Sequence, residues 1–213
     1  MISAQEASQK NRHLCSLAPV IPVLVIQDAA QAAPLAKALI KGGLPVLEVT
    51  LRSDAALDAI REMAQVPGGH VGAGTLLTPK DVQNASDAGA TFGVSPGATD
   101  RILDAALEAG LPLLPGAATP SEVMALYERG YDMLKFFPAG ANGGAPALKA
   151  IGGPIPQVSF CPTGGISPAN LPSYLSLPNV LCCGGSWVAP TDKLIQGDWE
   201  GIEERAREAA RAR

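Results

Sequence analysis

Lys135 is flanked by Met133, Leu134, Phe136 and Phe137, an apolar setting unusual for a lysine. In a strand covered on both faces, its ammonium reaches water only by pointing into an open mouth. Desolvation disfavours the charged form, and a neutral amine can attack a ketone and form a Schiff base. The competing reading is a strand-edge lysine that snorkels to solvent. Glu48 interrupts a second apolar run, VLEVT. Residues 46, 48 and 50 of a strand share one face, so Glu48 and Thr50 look the same way. A buried carboxylate needs a partner, which Lys135 or Arg52 can supply. Its chemistry is general base and acid catalysis, the alternative being an interior salt bridge with no catalytic part. Arg52, just past that run, carries the planar fork that clamps a carboxylate, or else sits at the surface near the next helix.

Two glycine pairs come late in the chain, in PTGGIS (162–167) and CGGSW (183–187). Paired backbone N–H groups can cradle a phosphate, with help from a helix N-terminus. Gly164 and Gly165 precede an expected helix start, and Gly184 and Gly185 are followed by Ser186, whose hydroxyl can donate. Cys15, Cys161, Cys182 and Cys183 match no zinc spacing, and adjacent Cys182 and Cys183 point to opposite faces of a strand. They read as small buried hydrophobes in a reducing compartment. His13 and His70 have no partner at ligand spacing, so neither a metal site nor a cofactor is expected.

These residues need a frame. Eight short apolar runs end in small-residue loops, at intervals of 19 to 25 residues: VIPVLVI, LPVLEVT, HVGAG, TFGVSPG, LPLLPG, YDMLKFFPA, QVSFCPTGG and VLCCGGS. Helical patterns lie between them. Residues 28–43 place Leu35, Leu39 and Ile40 on one face, and 53–65 start at an N-cap serine before a Leu57, Ile60, Met63 stripe. Thr78-Pro79, Thr119-Pro120 and Ser167-Pro168 mark further helix starts. Strands alternating with helices pair in parallel through right-handed crossovers. Eight units predict an α/β fold, a (β/α)8 TIM barrel, spanning 1–213 as a single domain. Residues 1–17 form an extra N-terminal helix over the barrel's bottom, and 198–213 a closing C-terminal helix. An open doubly wound sheet is the competitor, disfavoured because no GxGxxG follows the first run.

In a barrel the working residues sit at the C-terminal strand ends. Those ends supply Glu48, Thr50 and Arg52, then Thr75, Ser95 and Pro96, Lys135 and Phe137, Thr163 with Gly164 and Gly165, and Gly185 with Ser186. Of the 213 residues, 47% are hydrophobic, 17% charged and 4% aromatic, with 23 glycines and 19 prolines. That composition supports a large core and many short connections, and excludes global disorder. Few aromatics and a net charge of −4 speak against a nucleic-acid partner. No secretory signal or membrane span is expected, which leaves a cytoplasmic protein.

The stretches PVIPVLVI, GGLPVLEVTLR, VGAGT, SPG, LPGAATPSE, KFFPA, ANGG, FCPTGGISPAN and VLCCGGSW together resemble the class I 2-dehydro-3-deoxyphosphogluconate (KDPG) and 4-hydroxy-2-oxoglutarate (KHG) aldolases. The resemblance spans residues 19 to 187; Gly140 after KFFPA and Pro45 depart from the family pattern. It implies Lys135 as the Schiff-base lysine and Glu48 as the proton-transfer residue. Arg52, Thr75 and Thr163 would surround the pyruvyl part, and Gly164, Gly165, Gly185 and Ser186 the phosphate, with Pro96 and Phe137 completing the substrate contacts. It further implies a metal-free homotrimer of carbohydrate metabolism, serving the Entner-Doudoroff pathway. The expected reaction cleaves KDPG to pyruvate and glyceraldehyde 3-phosphate. The alternatives are KHG or 2-dehydro-3-deoxy-6-phosphogalactonate cleavage, oxaloacetate decarboxylation, a metal-dependent class II aldolase, and a non-catalytic sugar-phosphate-binding barrel.

Overall fold

The computed structural model describes residues 1–212. Its strands are β1 (Val20–Leu24), β2 (Val46–Thr50), β3 (His70–Gly74), β4 (Phe92–Val94), β5 (Leu113–Leu114), β6 (Gly116–Ala117), β7 (Met133–Phe136), β8 (Ser159–Pro162) and β9 (Cys183–Gly185). All pair in parallel, in the order β5-β4-β3-β2-β1-β9 and β6-β7-β8. Two seams close the ring. Pro115 divides the fifth expected strand into β5, which pairs with β4, and β6, which pairs with β7. Isolated parallel bridges, Phe160 to Val180 and Thr163 to Gly184, join β8 to the β9 side. The result is the expected eight-unit barrel, locally distorted at both seams.

Strand alternation sorts side chains into two layers. On β7, Leu134 and Phe136 join the shell between sheet and helices, whereas Met133 points inward. On β2, Leu47 and Val49 face the helices and Val46 faces in. The interior floor holds Ile21, Val46, Phe92, Val94, Leu114, Met133, Cys161 and Cys182. It is closed from below by Leu14 and Cys15 of α1 (Ala4–Ser16), the expected N-terminal helix. Glycines at 72 and 74 make room on this inner face. A Cβ at Gly72 would overlap the Phe92 ring, and one at Gly74 the Glu48 carboxylate.

The helices are α2 (Ala32–Lys41), α3 (Ala56–Ala64), α4 (Pro79–Asp87), α5 (Asp100–Ala109), α6 (Pro120–Glu128), α7 (Gly144–Gly152), α8 (Leu171–Leu175), α9 (Thr191–Gln196) and α10 (Trp199–Ala210). α4 and α6 start as expected, with Pro in the first turn and a capping box: Thr78 with Asp81, Thr119 with Glu122. Other starts differ. Ser53 is not an N-cap; its hydroxyl donates to the Ile26 carbonyl, tying the end of β2 to that of β1, and α3 begins at Ala56. A 3-10 turn, Ala29–Gln31, precedes α2. The Ser167-Pro168 start is a turn held by Asn170, with α8 beginning only at Leu171. α10 is shorter than the expected 198–213: it runs from Trp199 to Ala210, with Asp198 as N-cap and Arg211 as C-cap, and residue 213 lies outside the described residues.

Candidate active site

The barrel's C-terminal mouth opens on a cleft of about 360 Å³. Its walls include each of the expected residues: Glu48, Arg52, Thr75, Pro96, Lys135, Phe137, Thr163, Gly164, Gly165, Gly185 and Ser186. Val23, Thr50, Ile166 and Gly184 also line it. Thr50 and Gly184 were visible as strand-end residues; Val23 and Ile166 carried no chemical signal in the sequence.

Lys135 and Glu48 meet at the bottom of this cleft. Nζ stands 3.3 Å from Oε1, with side-chain exposures of 7% and 4%. The alternation of β7 places Lys135 on the inner face, two positions above Met133 of the floor, so it does not snorkel at an edge. β2 does the same for Glu48 above Val46. Each side chain is desolvated and finds its partner in the other. Phe137 flanks the pair, its ring centroid 5.2 Å from Nζ, within cation–π range.

Around the pair are groups that can read a 2-keto acid. The Thr50 hydroxyl donates to the Leu24 carbonyl at 2.8 Å and accepts from Arg52 Nε at 3.1 Å. Thr50 therefore fixes the root of the Arg52 guanidinium and leaves its two terminal nitrogens for a ligand. The Thr163 hydroxyl is buried and, among the described residues, has no nitrogen or oxygen partner, only the Cys161 thiol beside it, so it too is ready for a ligand. Thr75 holds φ at 62°, a left-handed conformation costly for a β-branched residue, on the order of 1–3 kcal/mol. Strain of that kind at a cleft wall commonly belongs to ligand binding.

The glycine pairs form the outer wall. Gly164 and Gly165 adopt φ of 96° and 74°, open only to glycine at low cost. Gly140 N–H donates to the Gly164 carbonyl at 2.9 Å and Ala139 N–H to the Thr163 carbonyl at 2.8 Å, which braces this loop against the one after β7. A Cβ at Gly184 would overlap the Thr163 side chain, and one at Gly185 the Trp187 ring. The expected helix contribution is corrected: α8 starts six residues beyond Gly165, so loop residues, not a helix N-terminus, line the cleft here. His13 and His70 lie far from this chemistry, in a groove with Lys10 beside α1. Three thiols that sequence spacing keeps apart, Cys15, Cys161 and Cys182, come together in the floor.

A desolvated lysine paired with a carboxylate at the C-terminal mouth of a (β/α)8 barrel is the equipment of a Schiff-base, class I aldolase. Comparison with known proteins agrees. Residues 12–205 match the family described as "Aldolase: KDPG and KHG aldolase". The 2-dehydro-3-deoxy-phosphogluconate aldolase of Pseudoalteromonas atlantica is 55% identical, over 91% of each chain. Among solved structures, the 2-keto-3-deoxy-6-phosphogluconate aldolase of Zymomonas mobilis ZM4 with 3-phosphoglycerate superposes with a TM-score of 0.93 at 48% identity, covering 97% of both chains. The KDPG aldolase of Legionella pneumophila, with pyruvate captured as a covalent carbinolamine intermediate, has a TM-score of 0.91 at 46% identity, covering 93% of this chain and 97% of that one. The chain belongs to the KDPG and KHG aldolase family and is a carbon–carbon lyase. Among the described residues, no helix is long and apolar enough to cross a membrane.

Proposed function

We propose that the chain catalyses the reversible retro-aldol cleavage of 2-dehydro-3-deoxy-6-phosphogluconate to pyruvate and glyceraldehyde 3-phosphate. Lys135 adds to the C2 ketone to give a carbinolamine, and Glu48 shuttles the protons that let it lose water. The resulting protonated imine is an electron sink. Glu48 then takes the proton of the C4 hydroxyl, the C3–C4 bond breaks, and its electron pair becomes the C2–C3 double bond of an enamine. The aldehyde leaves. Protonation at C3 and addition of water release pyruvate and the free amine.

Arg52 and Thr163 hold the substrate carboxylate, with Thr75 beside the pyruvyl part and Pro96 and Phe137 packing against its carbon chain. The N–H groups of Gly164, Gly165 and Gly185, with the Ser186 hydroxyl, receive the phosphate. The observation that carries this reading is the 3.3 Å contact between two buried, oppositely charged groups inside the cleft. 4-Hydroxy-2-oxoglutarate is a second substrate on the same pyruvyl half, in keeping with the family's paired description. We place the enzyme in the cytoplasm, a setting that suits its four free cysteines, and assign it a homotrimeric assembly.

Borohydride reduction in the presence of pyruvate tests the assignment. Peptide mass spectrometry is expected to find the adduct on Lys135 alone, and Lys135→Ala to release no pyruvate in a lactate dehydrogenase-coupled assay. Metal-chelator-resistant turnover by Lys135→Ala would overturn it.

A further inference from the structure

The floor beneath the catalytic pair holds a second cluster of nucleophilic groups that the aldol chemistry leaves unused. The Sγ atoms of Cys15, Cys161 and Cys182 all lie within 4.8 Å of one another, and all three thiols are buried and free. They come from three separate parts of the chain. Cys161 sits on β8, paired in register with Lys135; Cys182 immediately precedes β9; Cys15 enters from α1, which plugs the barrel. Cys183, the fourth cysteine, belongs to the other side of the sheet.

From this placement we propose that the three thiols form a soft-metal site that takes one cuprous ion per chain. With metal–thiolate bonds of about 2.3 Å, three sulfurs around a planar ion stand about 4.0 Å apart, inside the observed limit. A closed zinc site wants a fourth ligand, and among the described residues no further thiol, imidazole or carboxylate joins these three. Thiolate softness and three-fold coordination select Cu(I).

On binding, each S–H bond is exchanged for an S–Cu bond and its proton passes to water; the ion arrives already cuprous, so no electron moves. The product carries two negative charges. Two cations lie nearby in the fold: Arg12, three positions before Cys15 on α1 and bonded to Ser159 and Asp132, and Lys135, in register with Cys161. A groove lined by His13, His70 and Leu14 lies on the α1 side, at the end opposite the cleft.

The test is an anaerobic titration of the full chain with Cu(I) buffered by bicinchoninate. Bound copper is measured after desalting, and the near-ultraviolet thiolate-to-copper band is followed. One copper per chain is expected for the wild type and for Cys183→Ala. Cys15→Ala and Cys15→Ser should weaken binding at least tenfold and lose the band, with pyruvate release by the metal-free variants reporting that they fold. Cys182→Ala should behave like Cys15→Ala. Copper that does not survive desalting on the wild type, or that binds Cys15→Ala and Cys15→Ser as tightly as the wild type, would overturn the proposal.

Discussion

Gly74→Ala is the sharpest perturbation that the site's geometry offers. The backbone there lies outside the left-handed region, so alanine is conformationally acceptable. Its Cβ, however, would stand 2.7 Å from Glu48 Cγ and 2.8 Å from Cδ, and would overlap Oε1. Restoring contacts near 3.5 Å moves Glu48 Cγ and Cδ by about 0.7–0.8 Å and the overlapped Oε1 by more than about 1 Å. The carboxylate then leaves the position from which it meets Lys135 at 3.3 Å. A misplacement of about 1 Å in a catalytic constellation can cost about a hundredfold in rate. Overpacking of this size also costs about 1–3 kcal/mol of stability. The lactate dehydrogenase-coupled assay should therefore show kcat reduced by about 10- to 100-fold, with circular dichroism reporting a native fold. A folded Gly74→Ala enzyme with wild-type kcat would refute the argument that Glu48's position governs turnover.

Gly72→Ala is the companion case, because its Cβ would overlap the Phe92 ring in the floor and not the acid. Urea unfolding should show a loss of about 1–3 kcal/mol, while surviving folded enzyme keeps a near-native kcat. Thr50→Val removes the hydroxyl that holds Arg52 Nε and donates to the Leu24 carbonyl. About 0.5–1.5 kcal/mol of stability should go, and KM for the 2-keto-acid substrate should rise several-fold, more than kcat falls. Glu122 is held below its usual value of 4.5, chiefly by the N–H of Ala118, with the Thr119 hydroxyl and N–H adding to it. A lowered carboxylate stabilises the fold at pH values above its unfolded value, and that contribution fades as pH falls through the folded one. Glu122→Ala should thus lower Tm at neutral pH and converge with the wild type well below pH 4.5.

Local chemistry that repeats with strand or helix period was legible in the sequence. The face shared by Val46, Glu48 and Thr50, the isolation of Lys135 among apolar neighbours, and the capping residues Thr78 and Thr119 each depend on residues within a few positions. Features decided by contacts across the barrel were not. Ser53 has the type and place of an N-cap, yet a tertiary acceptor, the Ile26 carbonyl, takes its hydroxyl. Pro115 breaks the fifth strand because it has no N–H to give the ladder, and the neighbouring strands pair with the two halves separately. The left-handed Thr75 follows no rule of sequence for a β-branched residue. The three thiols illustrate the point best: separations of well over a hundred residues between Cys15 and the other two hide a contact that only the α1 plug creates.

The proposed chemistry turns on a covalent bond at one nitrogen, formed beside one acid. A crystal structure of the enzyme soaked in pyruvate tests it most directly. Continuous density is expected from Lys135 Nζ to C2 of the ligand, with the Glu48 carboxylate within hydrogen-bonding distance of the new bond and the pyruvate carboxylate at Arg52 and Thr163. Pyruvate attached to a different residue, or bound in the cleft with Lys135 unmodified and Glu48 turned away, would contradict the account.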